Sequence, residues 1–301
     1  MASNSIDVVI PVHNRPHELD RALSSLSSQN DRDFGVIVCD DGSSEDLSGV
    51  IGRWERVLQI DFVRIKPSGG PARPRNVGVS RSSATWVSFL DSDDWWFPQR
   101  ISRLREVLSG DADVVYHPLR IDRGVNRRSS WLHRSEFVGF PVRGTDVVAH
   151  MIRRGNPVAT SGATVRRAAL LSIGGFTEQR DRAAVEDFDC WLRLAAQGQR
   201  FKFLPDVLGG YWFGGGNISV NAPLQYQRYR KLFEQQLQEL PSKYFNEANS
   251  HFNYVLGIQA AKLGLQDQYT HFAQVRPRFG LGRWLKSRWM LASHQHGGTF
   301  S

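Results

Sequence analysis

Residues 6–43 read IDVVIPVHNRPHELDRALSSLSSQNDRDFGVIVCDDGS, and this stretch decides the fold. Its first seven residues, 6–12, form a nearly continuous apolar run, as expected of a strand covered on both faces. Leu19, Ala22, Leu23 and Leu26 follow at i, i+3, i+4 and i+7, the spacing of one helix face. A second apolar run, 34–39, ends in Asp40-Asp41-Gly42-Ser43. Strand, helix, strand and acidic turn form the repeating unit of an α/β fold, a mostly parallel sheet flanked by helices.

The pattern continues outward. Residues 44–54 read as a helix and 60–65 alternate like a strand. A segment rich in Gly, Pro and Arg, 67–76, reads as a loop and leads to a buried strand over 87–90. That strand runs into Asp91-Ser92-Asp93-Asp94, and a helix with an Ile101, Leu104, Val107, Leu108 stripe is expected to begin at Pro98. Further on, 122–136 read as a polar loop, 145–153 as a helix and 163–165 as a short strand. A helix over 166–173 is stopped by Gly174-Gly175, and 185–197 form another, with Phe188, Trp191, Leu192 and Ala195 on one face. Strand-like runs at 201–204 and 207–213 precede wholly helical patterns over 226–240 and 244–263. In open sheets of this kind ligands collect at the carboxyl ends of the strands, where two acidic clusters fall.

The chain has 301 residues, a formal charge of +8 and 41% apolar content, enough to bury a core and too apolar for a disordered chain. Cys39 and Cys190 each sit in an apolar run and read as buried free thiols. No apolar stretch reaches the ~18–20 residues that span a bilayer, and no basic-then-apolar leader opens the sequence. A cytoplasmic protein is the expectation. From Arg276 to the end stand Arg278, Arg283, Lys286 and Arg288, with Trp284 and Trp289 among them and no acidic residue. That stretch is either a solvated basic tail or a peripheral contact with an anionic membrane. No nucleic-acid motif accompanies it, so nucleic acid is not expected as a partner.

The acidic turn after the 87–90 strand packs three carboxylates into four residues, whose mutual repulsion a hard cation such as Mn²⁺ or Mg²⁺ relieves. A capping turn ahead of Pro98 is the plainer reading. Asp40 and Asp41 suit a hydrogen bond to a base or ribose, or simply a turn. Arg73 and Arg75 beside Gly69-Gly70 suit diphosphate recognition. Glu186-Asp187 opens a helix, where acidic residues serve either as dipole-favoured caps or as a general base at a cleft. Tryptophans more often serve as core or rim residues, but Trp95, Trp96 and Trp212 stand near these elements with faces on which a sugar or base can stack. No Gly-Lys-Ser/Thr phosphate loop, Gly-x-Gly-x-x-Gly, zinc pattern or Gly-x-Ser-x-Gly elbow is present.

Taken in order, VIPVHNR at 9–15, DDGS at 40–43, RNVG at 75–78, FLDSDD at 89–94, GGF at 174–176 and EDFD at 186–189 resemble the family 2 glycosyltransferases of the GT-A fold, over roughly residues 6–219. The resemblance implies a GT-A domain over 1–220, with a nucleotide-binding half (1–94) and an acceptor half (95–220), then a helical extension over 221–301. It implies that Pro11, His13 and Asn14 edge the nucleotide pocket, that Asp41 bonds the base, and that Arg75 lies near base or diphosphate. Asp93 matches the metal ligand, with Asp91 and Ser92 at the ribose or metal shell. Asp187 matches the catalytic base, and Glu186, Trp95 and Trp212 fall on the acceptor side. The implied activity is inverting transfer of a sugar from a nucleotide-diphosphate donor, UDP foremost, to a hydroxyl of a glycan, lipid-linked sugar or small molecule, in polysaccharide, glycolipid or natural-product glycosylation, assisted by Mn²⁺ or Mg²⁺. Many relatives carry a histidine where this chain has a glycine in 214–216, so weak metal affinity without nucleotide is expected. The alternatives are a non-catalytic sugar-nucleotide-binding or scaffold protein and a sugar-nucleotide nucleotidyltransferase.

Overall fold

The computed structural model describes residues 5–108, 110–124, 136–179, 184–214 and 222–295. The main sheet contains β1 (Ile6–Val12), β2 (Gly35–Asp40), β3 (Ile60–Arg64) and β4 (Trp86–Phe89). A short β5 (Trp95–Trp96) follows, then β6 (Val114–Tyr116), β7 (Leu119–Asp122), β8 (Phe137–Val138), β9 (Ala163–Arg166), β10 (Phe201–Phe203) and β11 (Gly209–Trp212). Seven strands run in the order β10-β6-β9-β4-β1-β2-β3. Strands β3, β2, β1 and β4 are parallel, β9 is antiparallel to both its neighbours, and β10 is parallel to β6. Val12 pairs with Asp40 and Val9 with Phe89, so β1, β2 and β4 release their chains along one edge. The four-stranded second sheet, β5-β11-β7-β8, adjoins that edge through Trp95, which directly follows the acidic turn.

Alternation explains the two covered faces. Ile6, Val8, Ile10 and Val12 of β1 belong to one buried cluster with Leu19, Ala22, Leu23 and Leu26 of α1 (Pro16–Ser27). Ile51 of α2 (Ser48–Trp54) joins the same cluster. On the opposite face α3 (Ala72–Arg81) approaches so closely that a Cβ on Gly78 would overlap the side chain of Val9. Ile101, Leu104 and Leu108 of α4 (Arg100–Leu108) are also buried in the first cluster. Each fully buried Leu or Ile of this kind contributes about 1.5–3 kcal/mol relative to exposure.

Two local readings need correcting. The helix after β2 begins at Ser48, not at residue 44, because Asn14 Oδ1 accepts from Ser44 N (2.7 Å) and Glu45 N (3.2 Å). Those amides are thereby held in a loop. The Gly/Pro/Arg segment becomes helical at Ala72, with Arg75 N donating to Pro71 O at 3.1 Å. Pro71 and Pro74 lie at its N-terminal end, where a missing N–H breaks no helical bond. Most of the 122–136 loop lies outside the described residues, as do residues 215–219.

By compactness the chain divides into residues 1–143 with 156–217, and residues 144–155 with 218–301. The first unit also holds α6 (Arg167–Ser172) and α7 (Glu186–Ala196). The second is helical: α5 (Val147–Arg154), α8 (Ala222–Glu239), α9 (Phe245–Lys262), α10 (Asp267–Ala273) and α11 (Leu281–Gln295). In it Tyr244 donates to both carboxylate oxygens of Asp146 (2.9 and 2.8 Å), and Asp146 caps α5 through Ala149 N. Phe233 stacks on Phe252 with centroids 4.0 Å apart. Among the described residues no helix is long and apolar enough to cross a membrane, and Cys39 and Cys190 are buried and unbridged.

Candidate active site

The sheet edge gathers most of the residues singled out from sequence. Pro11 is buried in β1, and the chain leaves the strand through His13 and Asn14. Asn14 adopts φ 52°, a left-handed conformation that asparagine tolerates better than most residues. Nδ1 of His13 donates to the Asp41 carbonyl at 2.9 Å, leaving Nε2 to accept from Asn14 Nδ2 at 3.2 Å. Asp41 receives Ser68 N (2.8 Å) on one carboxylate oxygen and Ser68 Oγ (2.9 Å) on the other. The 67–70 loop is thus drawn over the end of β2, while each oxygen retains a second lone pair. Asp40 instead holds its own turn, accepting from Ser43 N (2.8 Å) and Ser43 Oγ (2.6 Å).

Arg75 is the hub. Its side chain is 4% exposed, and it donates to Asp91 Oδ1 at 2.6 Å and to Glu186 Oε1 at 2.8 Å. Burial works against its charge, but the two carboxylates outweigh that cost and lift its pKa above the ordinary guanidinium value. The next residue, Asn76, clamps the backbone of Phe176, accepting from its N and donating to its O, both at 2.8 Å. One turn of α3 therefore ties the acidic turn, the Gly174-Gly175-Phe176 turn and the start of α7 together.

In the acidic turn, Asp94 N donates to Asp91 O at 3.0 Å, and Asp91 N donates to Ser161 Oγ at 3.0 Å. Ser92 is buried. Asp93 pairs with Arg15, and Arg21 donates to the Asp93 carbonyl. Burial raises the pKa of Asp93, and Arg15 opposes the shift. Asp94 is 1% exposed and accepts from Trp212 N at 2.8 Å. Burial and then the adjacent Asp93 charge push its pKa well above the usual carboxylate range. Trp95 and Trp212 flank Arg21, whose guanidinium lies 4.6 and 5.1 Å from their ring centroids. A cation–π sandwich of this sort holds both indoles in place and occupies one face of each.

Asp187 sits in the first turn of α7. Its Oδ1 accepts from Phe188 N at 2.7 Å, and its Oδ2 from Asn156 Nδ2 at 3.0 Å and, more weakly, Thr160 Oγ1 at 3.4 Å. Burial, then the Glu186 charge, raises its pKa to about 7, against the lowering influence of Arg75. A carboxylate near neutrality is poised to accept a proton. The sequence alone assigns no role to Arg15, Arg21, Asn76, Asn156, Thr160 or Ser161. Arg15 and Asn76 stand inside quoted motifs, but nothing local marks the other four.

The model of glycosyl transferase family 2 matches residues 7–174, more than half of the chain. The chain belongs to glycosyl transferase family 2. Among relatives of this family, it is 26% identical over 224 residues to an uncharacterized glycosyltransferase of Haemophilus influenzae, covering 73% of this chain and 67% of that one. It is 26% identical over 204 residues to the amylovoran biosynthesis glycosyltransferase AmsE of Erwinia amylovora, covering 67% and 73% respectively. A match of 38% identity to a Rickettsia bellii glycosyltransferase covers 32% of this chain but only 14% of that longer protein. In fold the chain is similar to S. aureus TarS 1–349, crystallised with UDP, at a TM-score of 0.67 and 18% identity over 99% of this chain and 93% of that one. It is also similar to mannosyltransferase PcManGT of Pyrobaculum calidifontis, in complex with GDP-Man and Mn²⁺, at a TM-score of 0.61 and 16% identity over 98% and 80%. This family 2 enzyme has the GT-A fold expected of it, a central sheet flanked by helices followed by a helical C-terminal region.

Proposed function

We propose that the chain transfers one sugar, with inversion, from a nucleotide-diphosphate sugar to an acceptor hydroxyl in the assembly of a polysaccharide or glycolipid. One observation carries the reading. Arg75 bridges Asp91 and Glu186, setting the acidic turn beside a helix start whose Asp187 has a pKa of about 7. The donor lies along the sheet edge, with Pro11, His13, Asn14 and Asp41 around the base and Asp91, Ser92 and Arg75 toward ribose and diphosphate. UDP is the favoured nucleotide, in keeping with the ligand of TarS. A polysaccharide acceptor agrees with the assignment of AmsE to amylovoran biosynthesis.

The proton is taken by Asp187 while the acceptor oxygen bonds to the anomeric carbon from the face opposite the leaving diphosphate. The carbon–oxygen bond to the diphosphate breaks in the same displacement, so configuration inverts. Trp95 and Trp212, already fixed by Arg21, wall the acceptor side together with Glu186. Arg75, held charged, offsets negative charge growing on the leaving group.

The residues also suit a divalent cation of the kind PcManGT holds. Among the described residues no three His, Cys, Asp or Glu side chains gather into a closed cage. Two hard carboxylates, Asp93 and Asp91, match a cation that takes its other ligands from substrate phosphates and water. Such a cation would supply Lewis-acid neutralisation of the leaving diphosphate. Arg15 already neutralises Asp93, which favours weak metal binding until a nucleotide arrives.

Calorimetry with UDP, dTDP and GDP, with and without Mn²⁺, tests the donor site. Metal-dependent binding of one nucleotide is expected, abolished in Asp93→Ala, with little Mn²⁺ binding in the absence of nucleotide. Failure of all three to bind removes the donor site and favours a non-catalytic scaffold protein. A pH series tests the base. Because only ionised Asp187 accepts a proton, kcat/KM should fall about tenfold per unit below pH ~7 and level above it. Glu186→Gln keeps an acceptor for Arg75 but deletes a charge that raises the Asp187 pKa. The acid limb should therefore move to lower pH, and an unmoved limb would show that Asp187 is not the titrating group.

A further inference from the structure

The C-terminal helix α11 carries a feature the transferase chemistry does not use. Leu281, Leu285 and Trp289, spaced four residues apart, are 60%, 53% and 58% exposed. At 100° per residue they form one outward stripe about 12 Å long. Gly282 and Ala292 are exposed on the same arc. The opposite side is anchored inward: Ser287 is fully buried, and Arg283 pairs with His251 and the carbonyl of Arg153. The helix is thereby held with its apolar stripe turned to solvent. Exposed Lys286 and Arg288 flank the stripe on its two sides. Arg276, Arg278 and Arg283 add to the charge, and no Asp or Glu occurs after Asp267.

We infer that this face of α11 docks on an anionic lipid surface. An apolar stripe of Leu and Trp with Lys286 on one side and Arg288 on the other matches a helix lying in the headgroup boundary, where the apolar groups enter and long basic side chains reach up to phosphates. A second copy fits less well, because a two-fold pairing of this face brings Lys286 and Arg288 of both copies together with no acidic residue of α11 to pair them. The structure deepens the sequence reading of the basic tail, since the apolar stripe and its fixed orientation were not visible there. It is independent of the transferase reading, because lipid binding is measured without turnover.

Flotation of the full chain with vesicles of phosphatidylglycerol and phosphatidylcholine, and with phosphatidylcholine alone, tests it. Binding to the anionic vesicles only, weakened by added salt, is expected. Leu285→Ser/Trp289→Ser and Lys286→Glu/Arg288→Glu should each weaken it by more than about tenfold. Both variants should keep the native thermal melt and UDP binding, since the substituted side chains are exposed. Absence of native binding, or equal binding by both variants, overturns the inference. So does sedimentation in which the native chain dimerises and the variants do not, which would assign the face to self-association.

Discussion

Asp187→Asn is expected to lower kcat by about 10²- to 10⁴-fold, the usual contribution of a positioned general base. The asparagine keeps the volume and cannot take up the acceptor proton. The donor residues stand on other elements, so the Kd for the nucleotide should stay within a few-fold of native. Steady-state kinetics together with nucleotide calorimetry check both parts. A variant that keeps most of its kcat excludes Asp187 as the base. One that loses nucleotide affinity in step with kcat points to a disturbed α7 rather than to lost proton transfer. The pH profile of any residual activity should lose the limb near 7, which separates the chemical role from a structural one.

Arg75→Met should be the most damaging change to stability near the site. It leaves Asp91 and Glu186 without their shared cation, and Glu186 is 4% exposed with its Oε2 already lacking a hydrogen-bond partner. Removing one member of such a buried ion network costs about 3–5 kcal/mol. Urea denaturation should show a matching drop in the midpoint with an unchanged slope. Arg75→Met/Glu186→Gln should recover part of the loss, because one of the stranded charges is then gone. A single variant with native stability would mean that solvent reaches the pair and that Arg75 does not brace the site. Activity should fall in the Arg75 variant through two routes at once, loss of a diphosphate cation and an upward shift of the Asp187 pKa.

The legible part of the molecule is the part with a short-range cause. Strand runs such as 6–12 and the Leu19, Ala22, Leu23, Leu26 stripe appear because burial imposes a period of two or 3.6 on neighbouring residues. The acidic turn and Glu186-Asp187 stood out because like charges in a row after an apolar run, or at a helix start, have few uses. The N-terminal half of α3 was hidden by its composition, since Gly69, Gly70, Pro71 and Pro74 signal a loop. Proline is nonetheless compatible with a first helical turn.

The sequence by itself determined the strands β1 to β4, the helices that flank them and the set of acidic residues placed at strand and helix ends, whereas the strand order, the antiparallel β9 and the second sheet came only with the tertiary structure. Only the tertiary structure decided the partners of those acidic residues. Arg75 meets Glu186 across 111 positions, Arg15 meets Asp93 across 78, and Asn156 meets Asp187 across 31. It also separated Asp94, a buried link to Trp212, from Asp93, and turned Trp95 and Trp212 into a vise for Arg21. The physical reason is that periodicity and turn chemistry act between neighbours along the chain. The pairing and desolvation of charges act between neighbours in space, and these set which carboxylate stays ionised, which is neutralised and which is left to take a proton.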